Sequence, residues 1–144
     1  MDTISLDWGK GVKVKTMCIF LFLIGGISNL IHAQDSPLVV VQKQLDAYNA
    51  QNIDEFAAVF AEDAEVYMNI GDTVPAMKGR AEIHERYGAM FRNNPQNKST
   101  LMGRMVQGNF VFDHEWITGR DAEFKIVAIY EVVDGLIVRA WFVR

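Results

Sequence analysis

The feature that most constrains this chain lies in its last third. From about Leu101 to Arg144 the sequence reads as strand, broken at Gly108-Asn109 and again at Asp134-Gly135 by dipeptides that turn antiparallel hairpins. Pairing across Gly108-Asn109 puts Leu101, Met105, Phe110, Phe112, His114 and Trp116 on one face. It sets Arg104 opposite Asp113 on the other face, which reads as a solvent-side charge pair. At the second turn, a two-residue loop would set Tyr130 against Arg139 and Ala128 against Trp141. A three-residue loop, Val133-Asp134-Gly135, pairs Val132 with Leu136, Tyr130 with Val138, Ala128 with Ala140 and Ile126 with Phe142. That face is apolar apart from one hydroxyl, so burial favours the longer loop. The opposite face carries Lys125, Val127, Ile129, Glu131, Ile137, Arg139 and Trp141. It is too apolar to be simply solvated and predicts a subunit interface.

Upstream, the period changes to that of helices. Ser36-Pro37 starts the first, with a hydroxyl cap and a proline whose missing N–H costs nothing at that position. Leu38, Val41, Leu45 and Tyr48 form its apolar stripe, and it ends near Asn52. A second short helix begins at Asp54-Glu55 and turns Phe56, Val59 and Phe60 inward. Val66, Met68 and Ile70 alternate with Glu65, Tyr67 and Asn69 as a short strand. A third helix runs from about Arg80 to Phe91, with Ile83, Tyr87, Met90 and Phe91 inward, until Asn93-Asn94-Pro95 stops it.

The first 33 of the 144 residues have a different character. Lys10, Lys13 and Lys15 precede the apolar run Met17–Ile24, and Ala33-Gln34 follows as a small residue before a polar one. This is the pattern of a secretory signal peptide cleaved near Ala33, with a retained membrane anchor as the alternative, and the apolar run is short for a bilayer span. The expected products are a signal peptide at 1–33 and one domain at 34–144, exported to the periplasm or beyond the cell. The first 33 residues hold three of the 14 basic and two of the 18 acidic side chains, so 11 and 16 remain, a formal charge of −5. That balance argues against nucleic acid and anionic membrane as partners. Cys18, the sole cysteine, lies in the leader, so the domain has no disulfide and no thiol nucleophile. No H-x-x-x-H spacing or cysteine cluster suggests a metal site, and no glycine-rich phosphate loop suggests a nucleotide cofactor, so no cofactor is expected.

Several short segments, in this order, carry a resemblance. They are Leu45-Asp46-Ala47-Tyr48-Asn49-Ala50-Gln51-Asn52-Ile53-Asp54, Phe60-Ala61-Glu62-Asp63-Ala64, Lys78-Gly79-Arg80, Asp113-His114-Glu115 with Thr118-Gly119, Val127-Ala128-Ile129-Tyr130-Glu131, and Arg139-Ala140-Trp141-Phe142. Over residues 38–144 the chain resembles the nuclear transport factor 2 superfamily, in its SnoaL-like and ketosteroid isomerase-like branch. The resemblance implies an α+β fold: a cone-shaped, curved antiparallel sheet of four main strands plus a short first strand, packed with three helices around an apolar pocket. It also implies a homodimer through the convex sheet face. Isomerases of this kind use an aspartate base, with a tyrosine and a protonated acid donating to the developing oxyanion. Matched segment by segment, Gln44 stands where that tyrosine would, Met68 where the base would, and Tyr130 where the protonated acid would. Methionine abstracts no proton, so the isomerase chemistry is missing its base.

The pocket expected from this reading is lined by Gln44, Tyr48, Met68, Tyr87, Met105, Phe112, His114, Trp116, Tyr130 and Phe142. His114 is its one imidazole, a general base or a ligand-orienting donor, set against the plainer case of a buried, hydrogen-bonded histidine. His84 reads as a half-exposed helix residue, and Glu62-Asp63 and Glu82/Glu85 as solvated charge. The first expectation for function is an exported binder of a small, largely apolar molecule. An enzyme (isomerase, cyclase or hydrolase) with His114 and Tyr130 as acid and base is the second, and a non-catalytic dimeric interaction module the third.

Overall fold

A computed structural model describes residues 34–144; the signal peptide expected at 1–33 and its cleavage point lie outside the described residues. Three helices and six strands follow in the order α1 (Pro37–Ala50), α2 (Ile53–Ala58), β1 (Phe60–Tyr67), β2 (Met77–Lys78), α3 (Arg80–Asn93), β3 (Lys98–Gln107), β4 (Phe110–Thr118), β5 (Phe124–Val133) and β6 (Leu136–Val143). Among these residues no helix is long and apolar enough to cross a membrane.

The sheet is a single curved layer in the order β2-β1-β6-β5-β4-β3. It is mixed where the sequence suggested antiparallel: β1 runs parallel to β6, with Val66 opposite Ala140, and the two-residue β2 closes the edge beside it. The first strand begins at Phe60 and ends at Tyr67, leaving Met68 and Ile70 beyond it.

Local signals account for the helices. Pro37 opens α1, although the Ser36 side chain makes no capping bond. Gln51 closes the helix in the left-handed region (φ 55°), and Asn52 then caps α2 by accepting the Glu55 N–H at 3.2 Å. Leu38, expected inward, is exposed, and Val40 takes its place in the core with Val41, Leu45 and Tyr48. The aromatic rings of Tyr48, Phe56, Tyr87 and Phe91 pack between the three helices, with Phe56 and Tyr87 centroids 4.4 Å apart.

The last hairpin corrects the expected loop. Asp134 (φ 52°) and Gly135 (φ 75°) form a two-residue turn with Val133 paired to Leu136. A bulge at Val138 then shifts the register, so that Tyr130 meets Ala140 and Ala128 meets Phe142. The extra residue lies in the strand, not the turn, which keeps the favoured turn and still aligns the apolar face. Ile137 consequently points inward and is fully buried.

The β3–β4 hairpin has the expected pairing, Arg104 opposite Asp113 and Met105 opposite Phe112, but the opposite sidedness. Val111, Asp113, Glu115 and Ile117 are buried against the helices, with Asp113 0% exposed. Met105, Phe110, Phe112, His114 and Trp116 occupy the other face, where Met105 is 58% and Trp116 40% exposed. A second bulge, at Met102, places Leu101 on the inner side opposite Glu115. The reason for the inversion is on α1. Gln42 accepts from Arg104 at 2.7 Å, while Arg104 grips Asp113 through two bonds of 2.6 Å. Asn49 exchanges bonds with the Ser99 backbone at 2.8 and 2.9 Å. A polar strand face can be buried where neighbouring groups supply its hydrogen bonds, as they do for Asp113, Arg104 and the Ser99 backbone.

Candidate functional site

Between the helices and the inner face of the sheet lies a cavity of about 440 Å³. Six of the residues expected to line it do so: Gln44, Tyr48, Met68, Tyr87, Tyr130 and Phe142. Four do not. Met105, Phe112, His114 and Trp116 sit on the outer face of the sheet, carried there by the sidedness of β4. His114 therefore has no access to the cavity and cannot act in it. His84 is exposed on α3, 2.9 Å from Asp54, also away from the cavity.

Glu115, not among the residues expected at the site, takes the place expected of His114. It is 6% exposed and lines the cavity. The Ser99 hydroxyl donates to its Oε2 at 2.6 Å, and Asn49 on α1 holds Ser99 in place. Its Oε1 has no hydrogen-bond partner among the described residues. Burial pushes the carboxyl up to about 7; the Ser99 bond works against this, the charge of Asp113 adds to it, and Arg104 and the Tyr130 hydroxyl partly offset it. Near neutral pH the group divides between acid and carboxylate, the condition for giving or taking a proton. Two carboxyls at alternate positions of β4, with Arg104 opposite Asp113 and Ser99 diagonal to Glu115 on β3, were the sequence signal that they share one hydrogen-bonded face.

The other polar groups are neutral donors and acceptors. Gln44 on α1 is buried, and its Oε1 has no partner among the described residues. Tyr130, on β5, is fully enclosed, and burial raises its hydroxyl well above the usual range, as it does that of Tyr87. Both remain protonated and able to donate. Phe142 meets Tyr130 edge-on, 6.2 Å between centroids. Leu45, Ile117, Phe124 and Ile126 complete the apolar wall, and Met68 and Asn69, just past β1, border it.

Arg120 and Arg144 also line the cavity, unforeseen because both follow the ends of strands. Gly119 sets Arg120 in place: at φ 75° it turns the chain after β4, and a Cβ there would lie 1.9 Å from the Gln96 carbonyl oxygen. Among the described residues no group of three His, Cys, Asp or Glu side chains gathers as a metal site would require.

Comparison with known proteins places this geometry. Residues 41–140 match the family model of the SnoaL-like domain. No curated protein sequence matches significantly. Among solved structures, an uncharacterised cystatin-fold protein of Novosphingobium aromaticivorans is similar at TM-score 0.71 and 25% identity, over 76% of this chain and 99% of that one. A proposed ketosteroid isomerase of Kribbella flavida is similar at TM-score 0.62 and 25% identity, over 74% and 75% of the two chains. A proposed polyketide cyclase of Streptomyces antibioticus, at TM-score 0.63 and 19% identity over 76% and 91%, shares the fold.

Proposed function

The chain belongs to the SnoaL-like domain family, and on that premise we propose that it is an exported protein whose cavity binds one small, largely apolar molecule. The observation that carries this reading is a mostly apolar cavity of about 440 Å³ into which a few polar groups converge, two of them (Glu115 and Gln44) with oxygens that have no partner among the described residues. Apolar walls supply affinity, while Glu115, Gln44 and Tyr130 fix the orientation of a carbonyl or hydroxyl on the ligand. The exposed apolar outer face of the sheet supports a homodimer, as the sequence suggested. Native mass spectrometry of protein purified from its own host tests the binding. A small-molecule adduct lost on gentle denaturation, and absent when Ile126→Trp fills the cavity, is expected; no adduct, together with no thermal shift from apolar probes, overturns it.

Glu115 favours a second reading, an enzyme acting by proton transfer next to a carbonyl. Its carboxyl titrates about 7, and the Tyr130 hydroxyl lines the same cavity as a donor for a developing oxyanion. The assay is deuterium exchange from heavy water into a cyclic ketone. Exchange above the buffer rate with an inflection about pH 7, lost in Glu115→Gln, supports catalysis; exchange at the buffer rate leaves a binder.

A further inference from the structure

Arg120 is a part-buried cation held by neutral groups. Its Nε donates to Asn97 Oδ1 at 2.6 Å, and its Nη2 to the Tyr48 hydroxyl at 2.7 Å and to Met90 Sδ at 3.4 Å. Its Nη1 bonds no described residue, and no carboxylate among the described residues lies within ion-pair distance of it. Arg144 is likewise without a carboxylate partner among these residues. Both guanidiniums lie over the ring of Phe124, with Cζ atoms 5.6 and 3.8 Å from its centroid. Two like charges gathered on one ring repel each other, and a cation taken partly out of water without a counter-ion is costly. Elsewhere the fold pairs its part-buried arginine: Arg104 meets Asp113 through both carboxylate oxygens. Two other nitrogens of the Arg120 guanidinium are already bonded, which fixes its plane, and the residue lines a cavity with largely apolar walls. The one side-chain carboxyl lining that space, Glu115, is bonded to Ser99 and belongs to β4, not to the arginines.

We propose that the molecule this cavity takes is an organic anion, an apolar body ending in a carboxylate, with the carboxylate received by Arg120 and Arg144 beside Phe124. The inference rests on the binding reading above and names its ligand class. It orients the ligand as well: the charged end lies against Phe124, and the apolar body runs toward Tyr130 and Phe142. The domain's negative formal charge is no obstacle, because the field at the binding edge is set by the two nearby guanidiniums.

The test compares 2-naphthoate, its methyl ester and 2-naphthyl phosphate, with binding followed by calorimetry at pH 6. The full-length domain is expected to bind the acid about tenfold more tightly than the ester, the scale of one charge-assisted hydrogen-bonded pair. Arg120→Gln is expected to remove that preference by weakening the acid alone, Arg120→Lys to retain part of it, and Arg144→Gln to reduce it by less. Should Arg120→Gln fail to fold, the Arg144→Gln and Arg120→Lys variants carry the comparison. Ester binding as tight as acid in the unmutated protein overturns the anion while leaving the binding cavity standing. Tighter binding of the phosphate overturns the carboxylate class, and binding of none of the three overturns both inferences.

Discussion

The two faces of β4 teach more together than either does alone. One face carries Asp113 and Glu115 and is buried; the other carries Phe110, Phe112 and Trp116 and is partly exposed. Hydrophobic sorting assigns them the other way round. The buried face tolerates Asp113 because the fork of Arg104 matches its charge and Gln42 in turn accepts from Arg104; Glu115 has only the Ser99 hydroxyl on one oxygen, and burial favours its neutral form. The outer face has no such constraint, and its apolar side chains suit a second protein surface.

Breaking the inner face is expected to have the largest effect. Asp113→Ala strands the Arg104 guanidinium, whose side chain is 10% exposed, and should lower stability by about 3–5 kcal/mol in urea unfolding. Replacing both partners, Arg104→Met with Asp113→Leu, should recover most of that loss. If the single and double variants are equally unstable, the pair is not what holds this face inward.

Next in size is the pH response of Glu115. Its folded value of about 7 stands above its usual 4.5, so between those values the folded chain holds a proton that the unfolded chain has released. Stability contributed by the neutral acid is therefore lost as pH rises from about 4.5 through about 7, on the order of 3 kcal/mol over the whole span. Glu115→Gln should flatten that slope in melts taken from pH 5 to pH 8. An unchanged slope would place the titration elsewhere.

The outer face is expected to respond in association and not in folding. Trp116→Glu should dissociate the proposed dimer in analytical ultracentrifugation while changing the stability of the monomer by no more than about 1 kcal/mol. A large loss of stability at equal dissociation would mean that this face belongs to the fold. Smallest of all should be His114→Gln: on the exposed face, it should alter stability by less than about 0.5 kcal/mol and leave ligand affinity unchanged.

What could be read from the sequence was what is encoded locally. Pro37, the acids Asp54-Glu55 and the Asn94-Pro95 stop mark helices through interactions within a few residues, and Gly108-Asn109 and Asp134-Gly135 mark turns in the same way. The ordered family segments then carried the fold, and six of the cavity-lining residues with it, because helix stripes and the Tyr130–Phe142 face are governed by burial of apolar groups. The remaining features are decided at a distance. A strand's period of two separates its faces without saying which is inside. For β4 that was settled through its neighbour β3, whose Ser99 and Arg104 are held by the α1 amides of Asn49 and Gln42, 50 and 62 residues earlier in the chain. The bulges at Met102 and Val138, the parallel contact of β1 with β6, and the turn at Gly119 that delivers Arg120 to the cavity also exist only once distant segments meet. Glu115 escaped the sequence because a buried acid is legible only beside its partners, and those partners are assembled by the tertiary fold.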